Sequence, residues 1–144
     1  MFNASLLDIP QPFIDPIGTL VEALGVACLC IPRPRTSQTI ALVADSQRRC
    51  IAMMTFPPLD NRSIHTIVGR SSILPDAHSI VLVSVRTCAP ISTTDPELLE
   101  HCARIVEHAG LQLLDWAVIG AGGIYCPRSL TESTDPWSPS ASCL

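Results

Sequence analysis

The residues best placed for chemistry lie in and around the loop 86–94 (RTCAPISTT). Cys88 follows Arg86 by two positions, and a neighbouring guanidinium favours the thiolate that makes a cysteine nucleophilic. No histidine lies beside Cys88 in the sequence, so only His65 or His78, brought close by the fold, could act as its base; a plain loop cysteine is the simpler reading. His101 and His108 are seven residues apart, about 10 Å along a helix axis, which is too far for one metal ion. They share a charged face with Glu97, Glu100, Arg104 and Glu107, and we read both as solvated. Cys28-x-Cys30 lacks the second pair that a zinc knuckle needs. Gly120-Ala-Gly-Gly123 lies between two strand-like runs with no helix after it, so a hairpin turn fits better than a phosphate loop.

These groups must be positioned by the elements around them. The run 80–85 (IVLVSV) is apolar and β-branched, the pattern of a buried strand. Asp95-Pro96-Glu97 opens a helix: Asp95 as its cap, Pro96 at the first helical position and Glu97 facing the positive end of the dipole. Leu98, Leu99, Cys102, Ile105, Val106 and Ala109 then form one apolar face, and Gly110 ends the helix. The next strand is 111–119, closed by Gly120. The loop 86–94 therefore sits at the carboxyl end of a buried strand, the edge that carries chemistry in α/β sheets.

Upstream, 1–14 reads as an extended arm containing Pro10 and Pro12. A well-buried helix is expected over 16–28, started by Asp15-Pro16, and 31–35 is a solvated Pro/Arg linker. Strands at 39–44 and 50–56 flank a polar turn, and a short helix follows over 63–74, weakened by Gly69. A last short strand is expected at 124–126, and 131–144, rich in Ser, Thr and Pro, reads as a disordered tail.

The chain has 144 residues, enough for one domain, and 47% of them are hydrophobic. Aromatics are 4% and lysine is absent; all nine basic residues are arginine and the net charge is −4. An acidic chain with scattered arginines lacks the clustered positive face that nucleic-acid binding requires. No apolar stretch is long enough for a membrane span, and no basic region precedes an apolar one at the N-terminus, so a cytoplasmic location is expected. Seven irregularly spaced cysteines fit free, mostly buried thiols.

The unit from hairpin to final strand resembles the JAB/MPN metalloenzyme fold, and within it the RadC-like branch. That family carries His-x-His-Pro at the end of a strand and Ser-x-x-Asp at the start of the next helix, with a distant Glu on an earlier strand. Ser92-Thr93-Thr94-Asp95 matches Ser-x-x-Asp, and LLDWAVIG at 113–120 resembles the RadC-like strand after the helix, with Trp116 where a His would stand. The His-x-His positions fall on Ser84 and Arg86, and the loop that follows is shorter than the family pattern.

A JAB-type zinc site needs two imidazoles, a carboxylate and an acid/base Glu. Of these only Asp95 remains: Ser84 is a poor ligand, Arg86 repels a dication, and the strand 50–56 has no carboxylate. The resemblance implies that Arg86 and Asp95 converge where the zinc would lie. There they can form an ion pair, with Ser84 and Ser92 completing a polar cluster. A sharper version is a pocket for a small anion or a peptide carboxylate.

These readings commit to an α/β fold, a mixed β-sheet flanked by helices in a JAB/MPN-like (cytidine-deaminase-like) three-layer arrangement. We divide the chain into 1–35 (arm, helix and linker packed on the domain), 36–130 (the RadC-like domain) and 131–144 (tail). The expected function is a non-catalytic scaffold or interaction module that has lost its zinc site, acting as a homo-oligomer or with a protein partner. No cofactor, metal, nucleic acid or membrane is expected. The alternative is a divergent enzyme or small-anion pocket built around Ser84, Arg86, Cys88 and Asp95. The candidate pocket is Ser84, Arg86, Cys88, Ser92, Asp95 and Trp116.

Overall fold

Among the described residues, five strands and three helices form from the segments whose apolar residues recur at the matching periods. The computed structural model describes residues 17–28, 36–87, 93–120 and 123–127. The arm, the Asp15-Pro16 start, the Pro/Arg linker, the tail, Cys88 and Ser92 lie outside the described residues.

The order is α1 (Leu20–Cys28), β1 (Gln38–Ala44), β2 (Cys50–Phe56), α2 (Ser63–Ser72), β3 (Ser79–Val85), α3 (Asp95–His108), β4 (Gln112–Gly120) and β5 (Gly123–Tyr125). They build a mixed five-stranded sheet in the order β2-β1-β3-β4-β5. Only β3 and β4 are parallel, joined by the α3 crossover; every other neighbouring pair is antiparallel.

The two faces of the sheet carry separate cores. Ala41, Phe56, Ile80, Leu82, Trp116 and Val118 pack against Ile64 and Ile67 of α2 and Cys102 and Val106 of α3. Ile40, Leu42, Val81, Val83, Ala117 and Ile119 pack against Ala23, Val26 and Ala27 of α1. All seven residues of β3 and eight of the nine in β4 are buried, which explains their nearly continuous apolar sequences.

Helix ends depart from the sequence reading in three places. The first helix begins at Leu20, later than expected, where Thr19 and Glu22 form a reciprocal start. Thr19 Oγ1 accepts the Glu22 N–H at 3.2 Å, and Glu22 Oε1 accepts the Gly18 N–H at 2.9 Å. The second helix stops at Ser72, two residues early. In α3 the cap position belongs to Thr94, which makes no side-chain capping bond, and Asp95 is the first helical residue. The expected Asp95 cap is therefore corrected: its carboxylate is turned to another partner.

The C-terminal end of α3 follows the sequence. Gly110 has φ +82°, with its N–H donating to Glu107 O and the Leu111 N–H to Val106 O. These are the two bonds of a Schellman motif. Leu111 and Val106 both enter the core on that face.

Candidate functional site

The parallel pair β3–β4 and the N-terminus of α3 bring Ser84, Arg86, Asp95 and Trp116 together. Ser84, the next-to-last residue of β3, is 3% exposed and accepts a hydrogen bond from Trp116 Nε1 at 2.8 Å. Its hydroxyl also lies 3.5 Å from Thr39 Oγ1 on the adjoining strand β1. Arg86 follows β3 directly, and its N–H donates to Ile119 O at 2.9 Å, which continues the pairing with β4.

That backbone bond aims the Arg86 side chain along the carboxyl end of the sheet. Nη1 donates to Asp95 Oδ2 at 2.9 Å and Nη2 to Oδ1 at 2.8 Å, a two-pronged pair. The guanidinium carbon stands 5.5 Å from the centroid of the Trp116 ring. Asp95 is 1% exposed, whereas the Arg86 side chain retains 23%, so the carboxylate is sealed under the cation. A fixed guanidinium fork suits this geometry, and an ammonium would not reproduce it.

A cleft of about 590 Å³ opens beside this pair. Thr94, Glu97, Leu98 and His101 of the α3 segment line one side, and Leu59, Asp60 and Asn61 from the connection before α2 line the other. One of these positions departs from the sequence reading. His101 is half-buried, not solvated, because α2 packs on α3 and covers part of its polar face. Its Nε2 is buried without a hydrogen-bond partner, and its ring lies 6.4 Å from that of His65, edge to face. His108 is exposed, as expected.

Asp60 organises the start of α2. Its Oδ1 accepts the N–H groups of Ser63 at 2.7 Å and Arg62 at 2.8 Å, and Ser63 Oγ accepts the Asp60 N–H at 2.9 Å. These backbone donors, aided by the Arg62 charge, hold the Asp60 carboxyl below its ordinary range. The reciprocal Asp-x-x-Ser spacing is visible in the sequence and was the available signal. Tyr125, on β5, has its phenol pushed up by burial first and then by the charge of Asp95, against the opposing effect of Arg86. Burial, reinforced by Asp60, pushes the Cys102 thiol up to about 12, so that it stays protonated at neutral pH.

A second buried carboxylate, Asp115, also went unnoticed in the sequence. It is 3% exposed, accepts the Trp116 N–H at 2.8 Å and lies 3.4 Å from Cys126 Sγ. Among the described residues no three His, Cys, Asp or Glu side chains come together as a metal-binding set. No helix among them is long and apolar enough to cross a membrane.

No protein-family model matches the chain, and no curated protein matches it in sequence.

Proposed function

We propose that the protein is a non-catalytic interaction module of JAB/MPN type, whose metal position is occupied by an internal ion pair. One observation carries this reading: Arg86 meets both oxygens of the buried Asp95 at the carboxyl end of β3. On the resemblance described above, these are the positions where a zinc ligand set would converge. A guanidinium there supplies the positive charge that would otherwise come from a dication, and it leaves the carboxylate no free lone-pair direction of comparable strength. Ser84, at the other ligand position, spends its hydroxyl on Trp116. The order hairpin, helix, strand, helix, strand supports the same assignment.

The test is elemental analysis of protein purified without chelator, followed by calorimetric titration with zinc. We expect neither stoichiometric zinc nor a saturable binding isotherm. Stoichiometric zinc that disappears in Asp95→Ala would overturn the proposal.

A second reading, a small-anion pocket or divergent enzyme at Ser84, Arg86, Cys88 and Asp95, rests on the 23% of the Arg86 side chain that stays exposed, against the carboxylates of Asp60 and Glu97 in the same cleft. It predicts that inorganic phosphate or acetate protects the chain against thermal unfolding and that Arg86→Gln abolishes the protection.

A further inference from the structure

The cleft beside the ion pair has a charge balance of its own. The Arg86 and Asp95 charges face each other across two short bonds and largely cancel. The remaining formal charges of the lining are the carboxylates of Asp60 and Glu97, one on each side. Glu97 is exposed and has no hydrogen-bond or ion-pair partner among the described residues. Asp60 uses Oδ1 for the α2 turn, and Arg62 offsets part of its charge from outside the cleft.

The walls between these carboxylates are apolar, from Leu59 and Leu98. His101 also lines the space, and its Nε2 has no hydrogen-bond partner among the described residues. A chamber with carboxylates at two sides and aliphatic walls complements an alkyl chain ending in a nitrogen cation. Its volume lies within the range of ordinary ligand sites and exceeds one side chain, leaving room for flanking backbone near Asn61 and Thr94.

We propose that this cleft receives an arginine or lysine side chain presented by a protein partner. The inference rests on the interaction-module reading and names the chemistry of what the module holds. The aliphatic stem would lie between Leu59 and Leu98, and the cationic head would meet Glu97 and Asp60. The sealed Arg86–Asp95 pair then acts as a neutral floor, keeping the cleft acidic without exposing a third carboxylate.

The experiment is an NMR titration of the full-length ¹⁵N-labelled chain. The probes are a capped Gly-Gly-Arg-Gly-Gly peptide, its Lys and Glu counterparts, and free agmatine. We expect saturable shifts at Asn61, Glu97 and His101 with the Arg and Lys peptides and none with the Glu peptide. Asp60→Asn/Glu97→Gln should weaken binding by about tenfold or more, the equivalent of about 1.4 kcal/mol. This variant should fold, because Asn also caps a helix and Glu97 holds nothing in place. Three results would overturn the inference: no saturable shift with either basic peptide, comparable binding of the Glu peptide, or agmatine binding as tightly as the Arg peptide. Zinc analysis judges the module reading separately. A zinc-free chain that ignores basic peptides loses this inference alone, whereas stoichiometric zinc removes the reading beneath it.

Discussion

Arg86 illustrates how one residue type decides a site. Its guanidinium bonds both oxygens of Asp95 and lies over Trp116, whose indole N–H in turn holds Ser84. Breaking such a pair on one side strands the other charge. Because Arg86 keeps contact with water, we expect Asp95→Asn to lose less than a fully buried pair would, about 2–3 kcal/mol, or about 5–10 °C in melting temperature. Arg86→Met should cost more, since it removes the cation that meets both oxygens of the buried Asp95 carboxylate. Arg86→Met/Asp95→Leu should recover part of the loss, because well-packed apolar pairs often replace buried ion pairs without penalty. Chemical denaturation of the parent, Arg86→Met, Asp95→Leu and the double variant gives the coupling energy directly. If Asp95→Asn proves as stable as the parent, the carboxylate charge is not what holds this end of α3.

At the scale of elements, helix ends divide the labour among acids. The first acid of α3 is diverted to Arg86, so that helix starts without a side-chain cap, while Asp60 serves α2 and Glu22 serves α1. Asp45 plays the equivalent part in the β1–β2 turn. Burial pushes its carboxyl up, but the N–H groups of Arg49 and Gln47 together with the Arg49 guanidinium outweigh this and hold it below 3.8. A lowered folded-state value means that the unfolded chain binds protons first as pH falls. The stabilisation from Asp45 and Asp60 is thus fully present above 3.8 and is lost as pH falls through the lower folded values. Thermal melts between neutral pH and strong acid should show this decline, and Asp60→Asn should flatten it by lowering stability at neutral pH by the share that the parent loses in acid. An unchanged acid slope in Asp60→Asn would remove Asp60 from this account.

At the scale of the molecule, β2 is a long edge of the sheet with no further strand beside it among the described residues. β2 carries the sequence CIAMMTF, with no charge, proline or glycine, and Ile51, Met53 and Met54 are only half-buried along it. Natural sheets usually protect such edges with charge, bulges or cover. Within the interaction-module reading, this edge is where another chain would add a strand, and a second copy can do so in antiparallel register with itself. Light scattering should show concentration-dependent self-association, weakened by Thr55→Lys, a charge placed at an exposed edge position. A monomer across the whole concentration range would leave the edge without this role.

Local pattern settled much of this protein. The β-branched runs specified β1 to β4 nearly to the residue, and Gly110 marked the end of α3, because strand burial and left-handed backbone are dictated by the side chains in the segment itself. The carboxyl end of β3 was also legible as the place to look, and Arg86 and Asp95 were named as partners. Tertiary structure alone decided the rest. Asp95 looked like a cap, since Asp-Pro-Glu is a cap sequence, but a guanidinium arriving from β3 competes for the same oxygens and offers two charge-assisted bonds. His101 looked solvated, since its helix neighbours are charged, until α2 folded over it. Asp60 and Glu97 lie 37 positions apart in sequence and share a cleft only because the sheet sets α2 beside α3. Helix periodicity reports which face of one element is apolar; which polar faces meet across two elements depends on packing that no local pattern encodes.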